Sequence, residues 1–191
     1  MSTRGLVGFV VDGQVKATYN HYDSYPEGLG EDVVSFVKDG WFTREQVENL
    51  KLVDESTPPT EEEKAALREY ADTGVSTQSL DEWYVLLRNT QGDLAAILES
   101  GYMIDSEDFA ADSLFCEWGY LINIDTDKVE VYTGFVTDKS ALTGRFSDLP
   151  VKDYGSLGNK YLPITLIAEL DFNDLDNFSS RIDEIAAEQE S

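Results

Sequence analysis

Residues 5–20 read GLVGFVVDGQVKATYN, and this stretch decides the fold. Two runs of β-branched and aromatic residues, at about 5–11 and 14–20, flank Asp12 and Gly13. Asp-Gly between two such runs is a strong hairpin signal, because a type I′ turn requires positive φ at both central positions. The chain is therefore predicted to open with two antiparallel strands joined by a two-residue turn.

The two-residue turn also sets the register of this hairpin. It pairs Leu6 with Tyr19 and, if the pairing continues beyond the strands, Arg4 with His21. Because side chains alternate between the faces of a strand, every second residue of each strand shares a face. The register therefore predicts that five side chains share one face at the open end of the hairpin: Ser2, Arg4, Tyr19, His21 and Asp23.

A second β region lies near the other end of the chain. Residues 115–124 and 129–135 predict two strands, joined by a turn at 125–128, and residues 162–170 predict a final strand. Apolar residues alternate along the first two of these strands, which is typical of antiparallel strands packed on one face. Residues 137–159 are polar and predict a long loop with a short strand around Phe146.

Between the two β regions, residues 31–100 predict an inserted block of helices. Thr43 begins a capping-box pattern, and the helix that it opens is expected to run to about Leu52. Thr60 and Asp93 are predicted to cap two further helices, and another is expected from about residue 79 or 81 to near residue 92. After the last strand, Asn173 or Asp174 is expected to cap a terminal helix.

Strands segregated from helices in this order indicate the α+β class. We expect one domain over residues 1–191 with an antiparallel or mixed sheet of about five strands. The N-terminal hairpin, the C-terminal hairpin and the final strand form that sheet. A helical insertion at about 31–100 and a C-terminal helix complete the predicted fold.

The net charge is −24, from 38 acidic against 14 basic residues. Such a surface repels nucleic acid and anionic membranes, so we expect neither as a direct partner. The acidity has two interpretations: it serves solubility, or an acidic face binds a protein partner with a basic surface. A small ligand is the other partner that we consider.

Several further features of the sequence bear on location and cofactors. There is no apolar run near 18 residues and no basic-then-apolar leader, and the one cysteine, Cys116, fits a reducing compartment, so a cytoplasmic location is expected. One histidine and one distant cysteine do not form the usual zinc site. The acidic turn at 125–127 lacks the glycine and the distal glutamate of a calcium loop, and no phosphate-binding glycine loop is present. We therefore expect no metal and no cofactor.

Residues 19–30, YNHYDSYPEGLG, form the candidate site. They hold the single histidine and three of the ten tyrosines. Histidine titrates near neutral pH, Asp23 is placed to orient His21 or raise its pKa, and Arg4 is placed to bind a carboxylate or phosphate. The candidate ligand-binding residues are Tyr19, Asn20, Tyr22 and Tyr25.

Two alternatives for these residues stay open. In the first, Arg4, His21 and Asp23 act in a hydrolase, with Ser2 exposed as an N-terminal nucleophile after removal of Met1. In the second, the same side chains satisfy one another and the backbone of the turn, or line a binding pocket without catalysis.

About the first 30 residues resemble a group of uncharacterised phage and prophage proteins. The resemblance lies in Ser-Thr-Arg at residues 2–4, a strand, and YNHYDSYPEG at residues 19–28, where the group has Y-x-H-x-D-G-Y-P-E-G. Ser24 replaces the usual glycine of that pattern. The resemblance implies a phage or prophage origin and a common fold, and it implies no reaction. The leading hypothesis is an acidic cytoplasmic accessory protein of phage type that binds a host or phage macromolecule or a small ligand.

Overall fold

The computed structural model describes residues 3–75, 78–151 and 161–189. The predicted N-terminal hairpin is confirmed as β1 (Gly5–Val11) and β2 (Gln14–Asn20). Its register is the predicted one, with Leu6 opposite Tyr19, and the turn residues have the positive φ of their turn type. Pairing ends at Gly5 and Asn20, so the register does not extend to the residues beyond them.

The sheet has five strands in the order β2-β1-β5-β6-β7. Its other members are β5 (Trp118–Asn123), β6 (Lys128–Thr133) and β7 (Thr165–Asp171). Antiparallel pairing joins β5 to β6 and β6 to β7, whereas β1 and β5 are parallel. The predicted α+β class with a mixed sheet is therefore confirmed, and β1 is the strand that brings the two hairpins into one sheet.

Helices occupy the predicted insertion and the C-terminus. Capping boxes at Thr43 and Thr60 and the Asp93 cap are all present. No helix among the described residues is long and apolar enough to cross a membrane. The helices are α1 (Glu31–Asp39), α2 (Arg44–Glu48), α3 (Glu61–Leu67), α4 (Trp83–Leu86), α5 (Leu94–Ser100) and α6 (Phe178–Gln189).

The prediction of a helix running to Leu52 is wrong, because α2 ends at Glu48. The buried Lys16 ammonium donates to the carbonyls of Val47, Glu48 and Leu50 at 2.7 to 2.9 Å, so these carbonyls do not need further helical turns. The chain continues instead as a strand, β3 (Lys51–Val53), which pairs in parallel with β4 (Tyr102–Ile104) in a separate two-stranded sheet.

Three other boundaries differ from their predictions. The helix expected from residue 79 or 81 to near 92 is reduced to α4. The terminal helix begins at Phe178, because the chain turns at Asn177, which has a φ of 53°. The short strand predicted around Phe146 is not formed. Phe146 lies in an irregular segment, and its ring centre is 4.9 Å from that of Tyr132.

Both faces of the sheet are buried, so the expectation of packing on one face is wrong. One face packs against the helices, through residues such as Phe9, Tyr120 and Phe178. The opposite face is covered by segments without strands, where Phe146 and Ala110 pack on Tyr132 and Leu121. Both sets of alternating residues are therefore in the core.

An ion pair between Glu130 of β6 and Arg145 links the sheet to the irregular segment that contains Phe146. The Glu130 carboxylate lies on β6 and accepts hydrogen bonds from Asn123 Nδ2 (2.7 Å), the Tyr132 hydroxyl (2.6 Å) and Arg145 Nε (2.8 Å). Burial alone acts to raise the pKa of Glu130, but these hydrogen bonds outweigh it and the pKa is lowered. Glu130 is therefore charged at neutral pH although it is almost completely buried.

We predict that Arg145→Met lowers the free energy of unfolding by about 3 kcal/mol, because it leaves the buried carboxylate without its cation. Urea denaturation at pH 7 measures the change. The double variant Glu130→Gln with Arg145→Met should lose less stability than the single variant, because no buried charge remains. Equal stability of Arg145→Met and wild type would contradict this account.

Candidate functional site

The candidate site begins where the chain leaves β2. Asp23 has a φ of 51°, and its carbonyl accepts a hydrogen bond from the Leu29 amide (2.8 Å), which folds the loop back on itself. Gly28 makes this close approach possible, since a Cβ there would lie 2.2 Å from the Asp23 carbonyl oxygen. α1 follows directly at Glu31, so the loop sets the start of that helix beside the end of the hairpin.

The structure divides the predicted site residues between two sides of the sheet. Tyr19 packs edge-on against Phe109, and its hydroxyl lies 2.5 Å from His21 Nδ1. Asn20 is buried on the other side, where its amide donates to the Ser24 hydroxyl (2.9 Å). Ser24 is therefore a buried hydrogen-bond partner that holds the loop against β2.

Arg4 lies near Tyr19 and His21 although strand pairing ends at Gly5 and Asn20, and its guanidinium sits 5.3 Å from the centre of the Phe115 ring. Partial burial, Arg4 and Arg88 lower the pKa of His21 from its ordinary value. The expectation that Asp23 raises this pKa is wrong, because burial is the largest cause of the shift and the two arginines act in the same direction. His21 is therefore neutral at pH 7.

Ser2, the predicted nucleophile of the hydrolase alternative, lies outside the described residues. Asp23 accepts no hydrogen bond from His21 within the described part of the chain, where Tyr19 is the ring's partner instead. The described residues also contain no group of three or more potential metal-ligating His, Cys, Asp or Glu side chains. The hydrolase alternative stays a prediction.

A cleft of about 400 Å³ opens on the side of the sheet that carries Asn20. The loop supplies exposed aromatic rings to its wall, since Tyr22 is 54% exposed and Tyr25 39% exposed. His21 is not among the residues that line it. The residues that line the cleft include Asn20, Tyr22, Asp23, Tyr25, Asp32, Arg88 and Asp93.

Carboxylates dominate the electrostatics of this cleft. Partial burial, together with the charge of Asp93, raises the pKa of Asp32. Asp93 also caps α5 by accepting a hydrogen bond from the Ala96 amide (2.9 Å), so its carboxylate is held in place. Two carboxylates that raise each other's energy favour a bound cation, which would relieve their repulsion.

Arg88 shows how the aromatic rings of this region accommodate a cation. Its guanidinium lies 5.9 Å from the ring centre of Tyr22 and 5.5 Å from that of Tyr84. Such contacts are favourable because the face of an aromatic ring carries partial negative charge. The cleft therefore offers both carboxylates and ring faces to a positively charged group.

Sequence reasoning identified the tyrosines and Asp23 but missed Asp32, Arg88 and Asp93. The sequence predicts Asp93 as a helix cap, but a capping pattern does not indicate which distant residues lie near the carboxylate. The loop and α5 are about 70 residues apart in sequence, and only tertiary packing brings them together.

Comparisons of the chain with protein-family models, with curated proteins and with solved structures found no match.

We predict that His21 titrates below the ordinary histidine value of about 6.5 and that Arg88→Met moves its pKa upward, because one of the two nearby positive charges is removed. NMR titration of the imidazole protons measures both values. A lowered pKa also means that folding stability decreases as the pH falls through 6.5.

The matched control is Arg68→Met, which removes an exposed arginine that is not a source of the His21 shift and should leave the titration unchanged. A His21 pKa above 6.5, or equal shifts in the two variants, would show that the arginine field is not the cause.

Proposed function

We propose that this protein is a phage-type accessory protein that works by binding a cationic group of a host or phage macromolecule in the cleft beside its N-terminal hairpin. The observation that carries the proposal is the placement of Asp32 and Asp93 close to each other beside exposed tyrosine rings. The resemblance of residues 2–28 supports the phage origin, and we propose the host cytoplasm as the place of action.

The chemistry of a lysine or arginine side chain fits this cleft. Its charge would pair with the carboxylates, and its face or stem would contact Tyr22 or Tyr25. A net charge of −24 would also steer a basic partner toward the protein and accelerate association at low salt. Binding is favoured over hydrolysis because the cleft contains neither His21 nor an identified nucleophile–base pair.

We predict that Asp32→Asn and Asp23→Asn each weaken binding of an octalysine peptide by about threefold, the effect of losing one exposed ion pair. Isothermal titration calorimetry at low salt measures the dissociation constants. Asparagine tolerates the positive φ of residue 23, so that variant keeps the loop conformation.

The control is Glu169→Gln, which removes the same single charge from β7, at the opposite edge of the sheet from β2. It should leave the octalysine affinity within error of wild type. If it weakens binding as much as Asp32→Asn does, the peptide responds to net charge alone and the cleft is not the site.

Unfolding measurements separate a folding defect from weaker binding by Asp32→Asn, because we expect that variant to be slightly more stable than wild type. The folded-state pKa of Asp32 is raised, so its charged form is disfavoured by folding at neutral pH, and removing the charge is stabilising. The gain should disappear as the pH falls below the ordinary carboxyl value of about 3.9, where both states are neutral. Urea denaturation at pH 7 and pH 3 measures it, and lower stability at pH 7 would contradict the assignment.

A further inference from the structure

An apolar groove of about 210 Å³ lies between α5 and the segment that links α1 to α2. Phe36, Phe42 and Leu98 line it, and beside them Trp41 is 76% exposed. An indole ring left this open to water is a large apolar surface without a partner in the described chain, and tryptophan is among the residues that contribute most to protein interfaces.

The floor of this groove is packed against the core. The rings of Phe36 and Phe42 are stacked with centres 4.9 Å apart and an interplanar angle of 15°. Both rings lie against the buried Phe9 of β1, at 6.1 and 6.5 Å. Because the floor is anchored to the core, an apolar side chain could bind without reorganising it, which reduces the cost of association.

The groove is continuous with the cleft of the proposed function. A third depression of about 340 Å³ lies between them; it shares Asp32 and Asp93 with the cleft, and Phe36 and Trp41 with the groove. We call the whole surface the α1–α5 trough. It runs from the tyrosines and carboxylates at the end of the hairpin to the apolar groove beside Trp41.

We propose that the α1–α5 trough binds a basic amphipathic segment of a partner protein, with its lysine or arginine side chains at Asp32 and Asp93 and one large apolar side chain in the groove beside Trp41. This inference rests on the proposed function and names the chemistry of the partner. Charge complementarity supports it, because Arg88 is the one cation among the described residues that line the trough, whereas five lining residues are acidic: Asp23, Asp32, Asp39, Asp93 and Glu99.

Other occupants fit this surface less well. A second copy of the chain would bring another net charge of −24 against it, and nucleic acid or an anionic membrane would be repelled in the same way. A small apolar ligand would use the groove but leave the carboxylates without a counter-charge. A segment that carries both basic and apolar side chains satisfies both ends of the trough.

The test compares two nine-residue peptides that differ only in the central residue, with phenylalanine or glycine between two blocks of four lysines. We expect wild type to bind the phenylalanine peptide at least about fivefold more tightly in calorimetry at physiological salt. Trp41→Ala should remove this preference and leave the affinity for the glycine peptide unchanged. Because Trp41 is exposed, the variant should fold normally, which circular dichroism checks.

The control is Phe135→Ala, which removes another exposed aromatic ring, 55% exposed and located after β6, away from the trough. It should keep the full preference for the phenylalanine peptide. Loss of the preference in Phe135→Ala but not in Trp41→Ala would overturn the proposal, and so would equal affinity of wild type for the two peptides.

Further arms separate the remaining outcomes. N-acetyl-phenylalanine amide carries no lysines, and binding as tight as that of the peptide would identify a small-ligand groove instead. A wild-type dimer in sedimentation velocity that Trp41→Ala dissociates would identify a second copy as the occupant.

The same measurements separate failure of this inference from failure of the proposed function. If Asp32→Asn still weakens binding of the glycine peptide while wild type shows no preference for the phenylalanine peptide, the trough inference fails and the proposed function stands. If Asp32→Asn leaves the affinity for the glycine peptide unchanged, the proposed function itself fails.

Discussion

The parallel pairing of β1 with β5 is the constraint on which the rest of the structure depends. All seven residues of β1 are buried, and the strand pairs with β2 on one side and with β5 on the other. Buried backbone groups require such partners on both edges. This pairing joins two hairpins that are about 100 residues apart, and it leaves β2 at the sheet edge, where the loop with the candidate site emerges.

The trough follows from what β1 presents to the helices. Phe9 projects from β1 and holds Phe36 and Phe42 in place, so α1 and the segment after it lie along the sheet. α5 packs beside α1, and the acidic starts of the two helices, at Asp32 and Asp93, come together. Packing against the core therefore sets both the apolar floor of the groove and the closeness of the two carboxylates, and a basic amphipathic segment is the ligand that we propose for this surface.

Features encoded locally and the joining of both hairpins in one sheet could be predicted from the sequence, whereas the contacts that helix packing creates could not. The turn at Asp12 and Gly13, the alternation in β5 and β6 and the Thr43 and Thr60 caps each depend on a few neighbouring residues. β3 and its pairing with β4 were not predicted, because they depend on the buried Lys16 and on a distant strand. At the candidate site, the clustering of the tyrosines in the sequence indicates their role. Only tertiary packing brings α5 and Trp41 beside them.

A backbone-amide NMR map, recorded while the lysine–phenylalanine peptide is added, tests whether the α1–α5 trough is the binding surface. We expect the perturbed amides to cluster in residues 20–42 and 91–99, on both walls of the trough. Perturbations that cluster instead around Phe135, or that spread evenly over the acidic surface, would show that the trough is not where the peptide binds.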